Sequence, residues 1–221
     1  MLLEIPNLLT ADELATLRDI AARTAFVDGR ITNPHSKVKN NTQLHDPSAY
    51  QKSSQILLHA MHAHEDFMNF ATPVFIAPPM MTRYTEGMQY GVHYDAAYLQ
   101  LGRTTVRSDL SCTVFLSDPE SYDGGALTIH LGTRALSFRG AAGSAIFYPS
   151  NTLHEVTRVT RGERLVAISF IQCRIADPFH REMIYALGEV AAIEGNKMDF
   201  QNLTRLQHVQ QSLLRYWGDK P

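Results

Sequence analysis

The stretch Gln89-Tyr90-Gly91-Val92-His93-Tyr94-Asp95 reads as a short strand that presents an imidazole and a carboxylate two residues apart. Side chains at i and i+2 of a strand point to one face, so His93 and Asp95 are placed to converge on one point. They make two corners of a metal site, and the third must come from elsewhere in the chain. His154 is the best candidate. By itself His-x-Asp also describes a strand end with two solvated polar residues, so the rest of the chain decides.

Working outward, the same period of two recurs on both sides. The residues predict strands at 80–84, 89–95, 108–116, 126–130, 135–138, 144–148, 154–159 and 164–172. Glu86-Gly87, Asp123-Gly124-Gly125, Gly132-Thr133, residues 140–143 and Arg161-Gly162 supply the turns between them. Many short strands at such spacing point to an antiparallel sandwich or barrel. No internal repeat or low-complexity tract interrupts it.

Helical patterns flank this region. Thr10 and Glu13 form a capping box ahead of a helix that carries Leu14, Leu17 and Ala21 on one face, with Leu9 as a staple. Asp46-Pro47 starts a second helix toward Met61, with His59, His62 and His64 read as surface histidines. Between them, residues 28–46 form a long polar stretch broken by Gly29 and Asn33-Pro34, expected as a loop over the open face of the metal site. After Asp177-Pro178 the period is helical again, over 179–192 and then from 196–199 to Trp217. Leu203, Leu206, Leu213 and Trp217 make a stripe there, expected to pack on the sheets or to form a homodimer interface.

Composition sets bounds. With 44% hydrophobic and 19% charged residues, 221 residues suffice to bury a substantial core. A net charge of −2 gives no bulk attraction to nucleic acid or to an anionic membrane. The N-terminus lacks the basic flank of a signal peptide, and no apolar run approaches the ~18 residues of a membrane span. Cys112 and Cys173 fall in apolar runs and read as buried thiols rather than a disulfide. A cytoplasmic chain is expected.

Arg164 opens the run Arg164-Leu165-Val166-Ala167-Ile168-Ser169-Phe170 and shares a face with Val166, Ile168 and Phe170. A permanently charged guanidinium there either escapes at the rim or turns inward and offers a fork to a carboxylate. A metal ligand at His154 and such a cation on paired strands suit a bidentate keto-acid. Two histidines and one carboxylate are also the facial triad of non-haem Fe(II) oxygenases.

The chain resembles the Fe(II)/2-oxoglutarate dioxygenases, and within them the bacterial PKHD-type hydroxylases, relatives of prolyl 4-hydroxylase. The matching residues are Arg83-Tyr84, Gly87, Tyr90, His93-x-Asp95 and Gly124-Gly125-Ala126-Leu127. They continue through Gly143-Ser144-Ala145, Tyr148-Pro149-Ser150, His154-Glu155-Val156 and Gly162-Glu163-Arg164. The ending Leu213-Leu214-Arg215-Tyr216-Trp217 is similar to the family's C-terminal helical extension. The resemblance implies an α+β fold: a double-stranded β-helix (jelly-roll) core with flanking N-terminal helices and a C-terminal helical extension. It divides the chain into an oxygenase domain with its N-terminal helices, 1–176, and an extension, 177–221. It implies His93, Asp95 and His154 as Fe(II) ligands, Arg164 as partner of the distal carboxylate of 2-oxoglutarate, and Tyr84 as a further hydroxyl in that pocket. The Arg-x-Ser pattern of other 2-oxoglutarate enzymes is absent, because Val166 stands two residues after Arg164. Implied cofactors are Fe(II), 2-oxoglutarate and O2, with ascorbate as an accessory.

The implied reaction couples decarboxylation of 2-oxoglutarate to hydroxylation of a small molecule, amino acid or peptidyl residue, with a link to iron uptake. The alternatives are a cupin-type metalloenzyme, a zinc hydrolase using the same three ligands, and an iron/2-oxoglutarate sensor without turnover. His130 competes with His154 as third ligand, but its strand reads as ordinarily amphipathic, with His130 opposite Leu127, Ile129 and Leu131.

Overall fold

A computed structural model describes residues 1–219 of the chain, so the end of the 177–221 segment lies outside the described residues. Two antiparallel sheets form its centre. The larger runs in the order Leu3–Ile5, Ala145–Pro149, Leu110–Phe115, Arg164–Cys173, Met80–Tyr84, Thr42–Leu44, Phe26–Asp28, with Pro73–Ile76 paired to the far half of Arg164–Cys173. The smaller runs Arg134–Phe138, Leu127–Leu131, His154–Val156, Gln89–His93, Lys39–Asn40.

Alternation along the central strands explains the layering. All six residues of Leu110–Phe115 are buried because both faces of the strand are covered. Leu110, Cys112 and Val114 join Leu165, Ala167 and Phe147 on the outer face. They meet three helices, α1 (Ala11–Arg23), α2 (Pro47–Ala63) and α3 (Glu65–Ala71), through Leu17, Leu57, Met61, Phe67 and Phe70. Phe67 stacks on Phe147 with ring centroids 4.6 Å apart. The inner face turns Tyr84, Phe115, Ile146, Tyr148 and Val166 toward Leu127, Ile129 and Val156 of the smaller sheet. One end of that inner layer is polar, and the candidate site lies there.

The capping box on α1 forms as expected, with Thr10 accepting from the Glu13 backbone and Glu13 reaching back to Thr10. Asp46 caps α2, with Pro47 in its first turn. Both cysteines are buried and free.

Several expectations are corrected. The strand holding His93 ends there, so Asp95 lies just beyond it and its position is not fixed by strand alternation. The 154–159 run splits into His154–Val156 and Val159–Arg161. Residues 28–46 are not one loop: they hold a turn of 3-10 helix, Gly29–Thr32, and the short strands Lys39–Asn40 and Thr42–Leu44. These strands are set by pairing with Gln89–His93 and Met80–Tyr84, which local sequence cannot signal. The C-terminal stripe belongs to α5 (Phe200–Trp217), which packs along α4 (Pro178–Glu194) rather than onto a sheet. Trp217 stacks flat on His180 at 4.2 Å, and Asp219 pairs with Arg107, so the helix pair is tied down at its end. Among the described residues no helix is long and apolar enough to cross a membrane.

Candidate metal centre and carboxylate pocket

Register brings the two histidines together. His154 and His93 are direct cross-strand partners, and their ring centroids lie 4.3 Å apart. Asp95 follows, with Oδ1 3.9 Å from His93 Nε2 and Oδ2 3.6 Å from His154 Nε2. One ligand atom from each of the three lies within 4.8 Å of the others, and this is the one such cluster found among the described residues.

The donors are oriented. His93 Nδ1 donates to the Gly91 carbonyl at 2.7 Å and His154 Nδ1 to the Thr152 carbonyl at 2.9 Å. Each bond fixes the tautomer and leaves Nε2 with its lone pair free for a metal. Burial, and then the neighbouring His154, push the His93 pKa below its ordinary value, so the neutral ligand form is favoured. Tyr90 stacks on His93 at 3.7 Å and Tyr148 meets His154 edge-on at 5.1 Å, holding both rings. Ser111 donates to Asp95 Oδ2 at 2.5 Å, and Ser111, Ser150 and Ser108 form a continuous run of hydroxyls at 2.8 Å spacings. With one hydrogen each, the consistent direction is Ser108 to Ser150 to Ser111 to the carboxylate. Two oriented imidazoles and a hydrogen-bonded carboxylate fit a divalent metal that accepts nitrogen and oxygen donors on one face.

The same cavity extends to Arg164. Arg164 is not at the rim: it is 1% exposed, and it is the largest fully buried side chain. Its Nε and Nη1 have no hydrogen-bond partner. The guanidinium carbon lies 5.0 Å from the Tyr84 ring centroid. Tyr84 Oη accepts from Asn41 Nδ2 at 2.8 Å, which leaves the hydroxyl hydrogen free. A buried cation with two orphaned donors costs several kcal/mol unless an anion meets it, and a carboxylate is the group that matches its fork. Gly124 and Gly125, both at positive φ, let the adjoining turn approach closely: a Cβ at Gly125 would lie 3.1 Å from Arg164 Cδ.

Lys39 and Asn41, from the polar stretch expected over the open face of the metal site, also line the cavity, as does Ser111, to which sequence reasoning assigned no role. A signal was present for Ser111: Ser111 and Thr113 alternate with Leu110, Cys112 and Val114, a polar inner face on a buried strand. His130 is not part of the cluster; its Nε2 lies 3.4 Å from Glu155 Oε1. His59, His62 and His64 do not join it.

Comparisons with known proteins agree with this geometry. Residues 79–172, which span the strands carrying the cluster and Arg164, match the profile of the 2OG-Fe(II) oxygenase superfamily. A PKHD-type hydroxylase of Sphingopyxis alaskensis is 58% identical over 214 residues, covering 97% of this chain and 98% of that one. Another from Thermosynechococcus vestitus is 38% identical, covering 99% of this chain and all of the relative. Among solved structures, a Pseudomonas putida prolyl-4-hydroxylase aligns with a TM-score of 0.55 at 19% identity, over 78% of this chain and 92% of that one. HygX from Streptomyces hygroscopicus, solved with nickel and 2-oxoglutarate bound, aligns with a TM-score of 0.52 at 15% identity, over 76% and 81%. These two likenesses concern the fold. The chain belongs to the 2OG-Fe(II) oxygenase superfamily and, within it, to the PKHD-type hydroxylases. It is an enzyme of that class.

Proposed function

We propose that this chain hydroxylates a C–H group of a small molecule or peptide, using Fe(II) held by His93, Asp95 and His154 and 2-oxoglutarate held by Arg164 and Tyr84. The observation that carries the reading is the pairing, in one cavity, of an oriented two-histidine, one-carboxylate cluster with a buried guanidinium that lacks an anion. A zinc hydrolase would need the first and leave the second without a task. In this reading the two sheets are the halves of a double-stranded β-helix, residues 1–176 form the oxygenase domain, and 177–221 are the extension.

When bound, the metal supplies oxygen activation coupled to decarboxylation of the keto-acid. The chain's own residues do the rest. His93 and His154, their Nδ1 hydrogens tied to backbone carbonyls, aim Nε2 at one point. Asp95, steadied by Ser111, would join them as the third ligand. Arg164 and the Tyr84 hydroxyl bind the distal carboxylate and so set the direction in which the keto-acid reaches the metal. Leu127, Val156 and Tyr148 line the cavity and exclude water.

The test is succinate release by the Fe(II)-loaded protein presented with fractionated metabolites and peptides, with mass spectrometry for products heavier by one oxygen. The reading expects release that depends on Fe(II), 2-oxoglutarate and one fraction, and that is lost in Asp95→Ala. Tight binding of 2-oxoglutarate without release in any fraction would favour a sensor.

A further inference from the structure

The segment 29–41 places one more charge in the cavity than the proposed chemistry uses. Lys39 is 9% exposed, and its Nζ donates to Thr32 Oγ1 at 2.9 Å. It forms no ion pair among the described residues. Its strand pairs with Gln89–His93, with Lys39 opposite Tyr90. The ammonium lies 5.7 Å from the Tyr90 ring centroid, and that ring lies 3.7 Å from the His93 ring. Lys39 therefore lines the cavity beside the metal cluster. Asn41, two residues on, also lines the cavity but serves the other end, where it bonds Tyr84 beneath Arg164. Asn40, between them, is exposed.

The charges around this cavity are easily counted. With metal and cosubstrate bound, Asp95 and a doubly anionic 2-oxoglutarate would balance Fe(II) and Arg164, the two imidazoles binding as neutral ligands. Lys39 is left without a carboxylate of its own, since Asp28, the acid acting on it most strongly, is held by Arg30. Lys39 is a buried residue with no ion pair among the described residues, and burial draws its pKa below the ordinary lysine value, against the opposing pull of Asp28 and Asp95. Thr32 satisfies one of its three hydrogens.

Resting on the hydroxylase reading above, we infer that Lys39 is the substrate anchor, and that the substrate presents a carboxylate or similar anionic oxygen close to the C–H group that is oxidised. Lys39 would bind that oxygen while Tyr90 forms the adjoining wall. The 3-10 turn that holds Thr32 and Asn33 supports both, since Asn33 Nδ2 donates to the Tyr90 hydroxyl at 3.4 Å. Segment 29–41 thus acts as a recognition wall. It selects for negative charge on the substrate, whereas Arg164 selects for it on the cosubstrate.

The test uses the anaerobic protein with Fe(II) and 2-oxoglutarate bound, in wild type, Lys39→Met and Lys39→Arg. The probes are benzoate, phenylacetate and N-acetylated amino acids, each beside its own carboxamide. Binding is followed by perturbation of the visible 2-oxoglutarate–iron band, with the band retained as proof that the cosubstrate has not been displaced. Wild type and Lys39→Arg are expected to bind acids at least about tenfold tighter than amides, the loss of one charge-assisted bond. Lys39→Met should abolish the preference while iron content and 2-oxoglutarate affinity stay as in wild type. Equal binding of acids and amides by wild type, including no binding of either, would overturn the proposal. So would a preference that survives Lys39→Met, or a loss of 2-oxoglutarate affinity in that variant, which would assign the ammonium to the cosubstrate. Absence of the band in wild type would instead sink the hydroxylase reading, and the anchor with it.

Discussion

Replacing Arg164 with Met should make the metal-free protein more stable and the 2-oxoglutarate complex weaker. The two effects have a single cause. In the structure the guanidinium is 1% exposed and two of its N–H groups lack partners. Met roughly matches the aliphatic stem in volume and removes the charge. Replacing buried charges by apolar groups of similar volume is neutral or stabilising by ~1–4 kcal/mol. A gain of about 1 kcal/mol in a chain of this size corresponds to roughly 2–4 °C in Tm. On the ligand side, each hydrogen bond to a charged partner contributes ~1.5–3 kcal/mol. Losing one such bond at the lower figure, or two, weakens 2-oxoglutarate about 10- to 150-fold. Calorimetric melts of the metal-free variant and anaerobic titration of its Fe(II) form with 2-oxoglutarate measure the two arms. An unchanged titration midpoint would refute the assignment of Arg164. A large fall in Tm would show that its charge is compensated within the chain, and the reasoning from orphaned donors would fail.

Other expectations follow from single contacts. Ser111→Ala removes the hydrogen bond to Asp95 Oδ2; Fe(II) affinity should fall about 10- to 100-fold, with Ser111→Thr restoring part of it, and wild-type affinity in the Ala variant would contradict the role. Gly124→Ala places a Cβ 2.0 Å from the Arg158 carbonyl oxygen at φ +70, whereas Gly102→Ala at φ +61 meets nothing within 4 Å. Both pay ~1–2 kcal/mol for the left-handed backbone, but Gly124→Ala should lose clearly more in a denaturant melt, and equal losses would discount the collision. Burial pushes the Cys173 thiol up to about 12 and the Cys112 thiol well above its usual range. A thiol reagent at pH 8 should therefore label both only as fast as the protein unfolds, and rapid labelling of either would place it outside the core.

Much of the fold was legible because its central strands are long and alternate cleanly. Met80–Tyr84 is read without error from its residues, and Arg164–Cys173 to within one position. The capping box at Thr10 and Glu13 fixes the start of α1 for the same local reason. What escaped is held by distant partners. Lys39–Asn40 is two residues long and exists because it pairs with Gln89–His93; nothing in Lys39-Asn40-Asn41 signals a strand. The short α3 was lost for want of length to show a period. In the site, His-x-Asp was visible, but the placement of His154 depends on its register with His93, a tertiary fact that spacing does not encode. For Arg164 the residues left inward and outward readings open, and only the folded chain buries it, beside the Tyr84 ring and close against the Gly124-Gly125 turn.

The central claim is that His93, Asp95 and His154 hold the iron that 2-oxoglutarate joins. Fe(II) titration under anaerobic conditions with 2-oxoglutarate present, read by metal content and by the visible charge-transfer band, tests it in wild type, His154→Ala and His130→Ala. The account predicts one iron per chain with the band in wild type and His130→Ala, and loss of both iron and band in His154→Ala with the fold intact by circular dichroism. Retention in His154→Ala with loss in His130→Ala would contradict it.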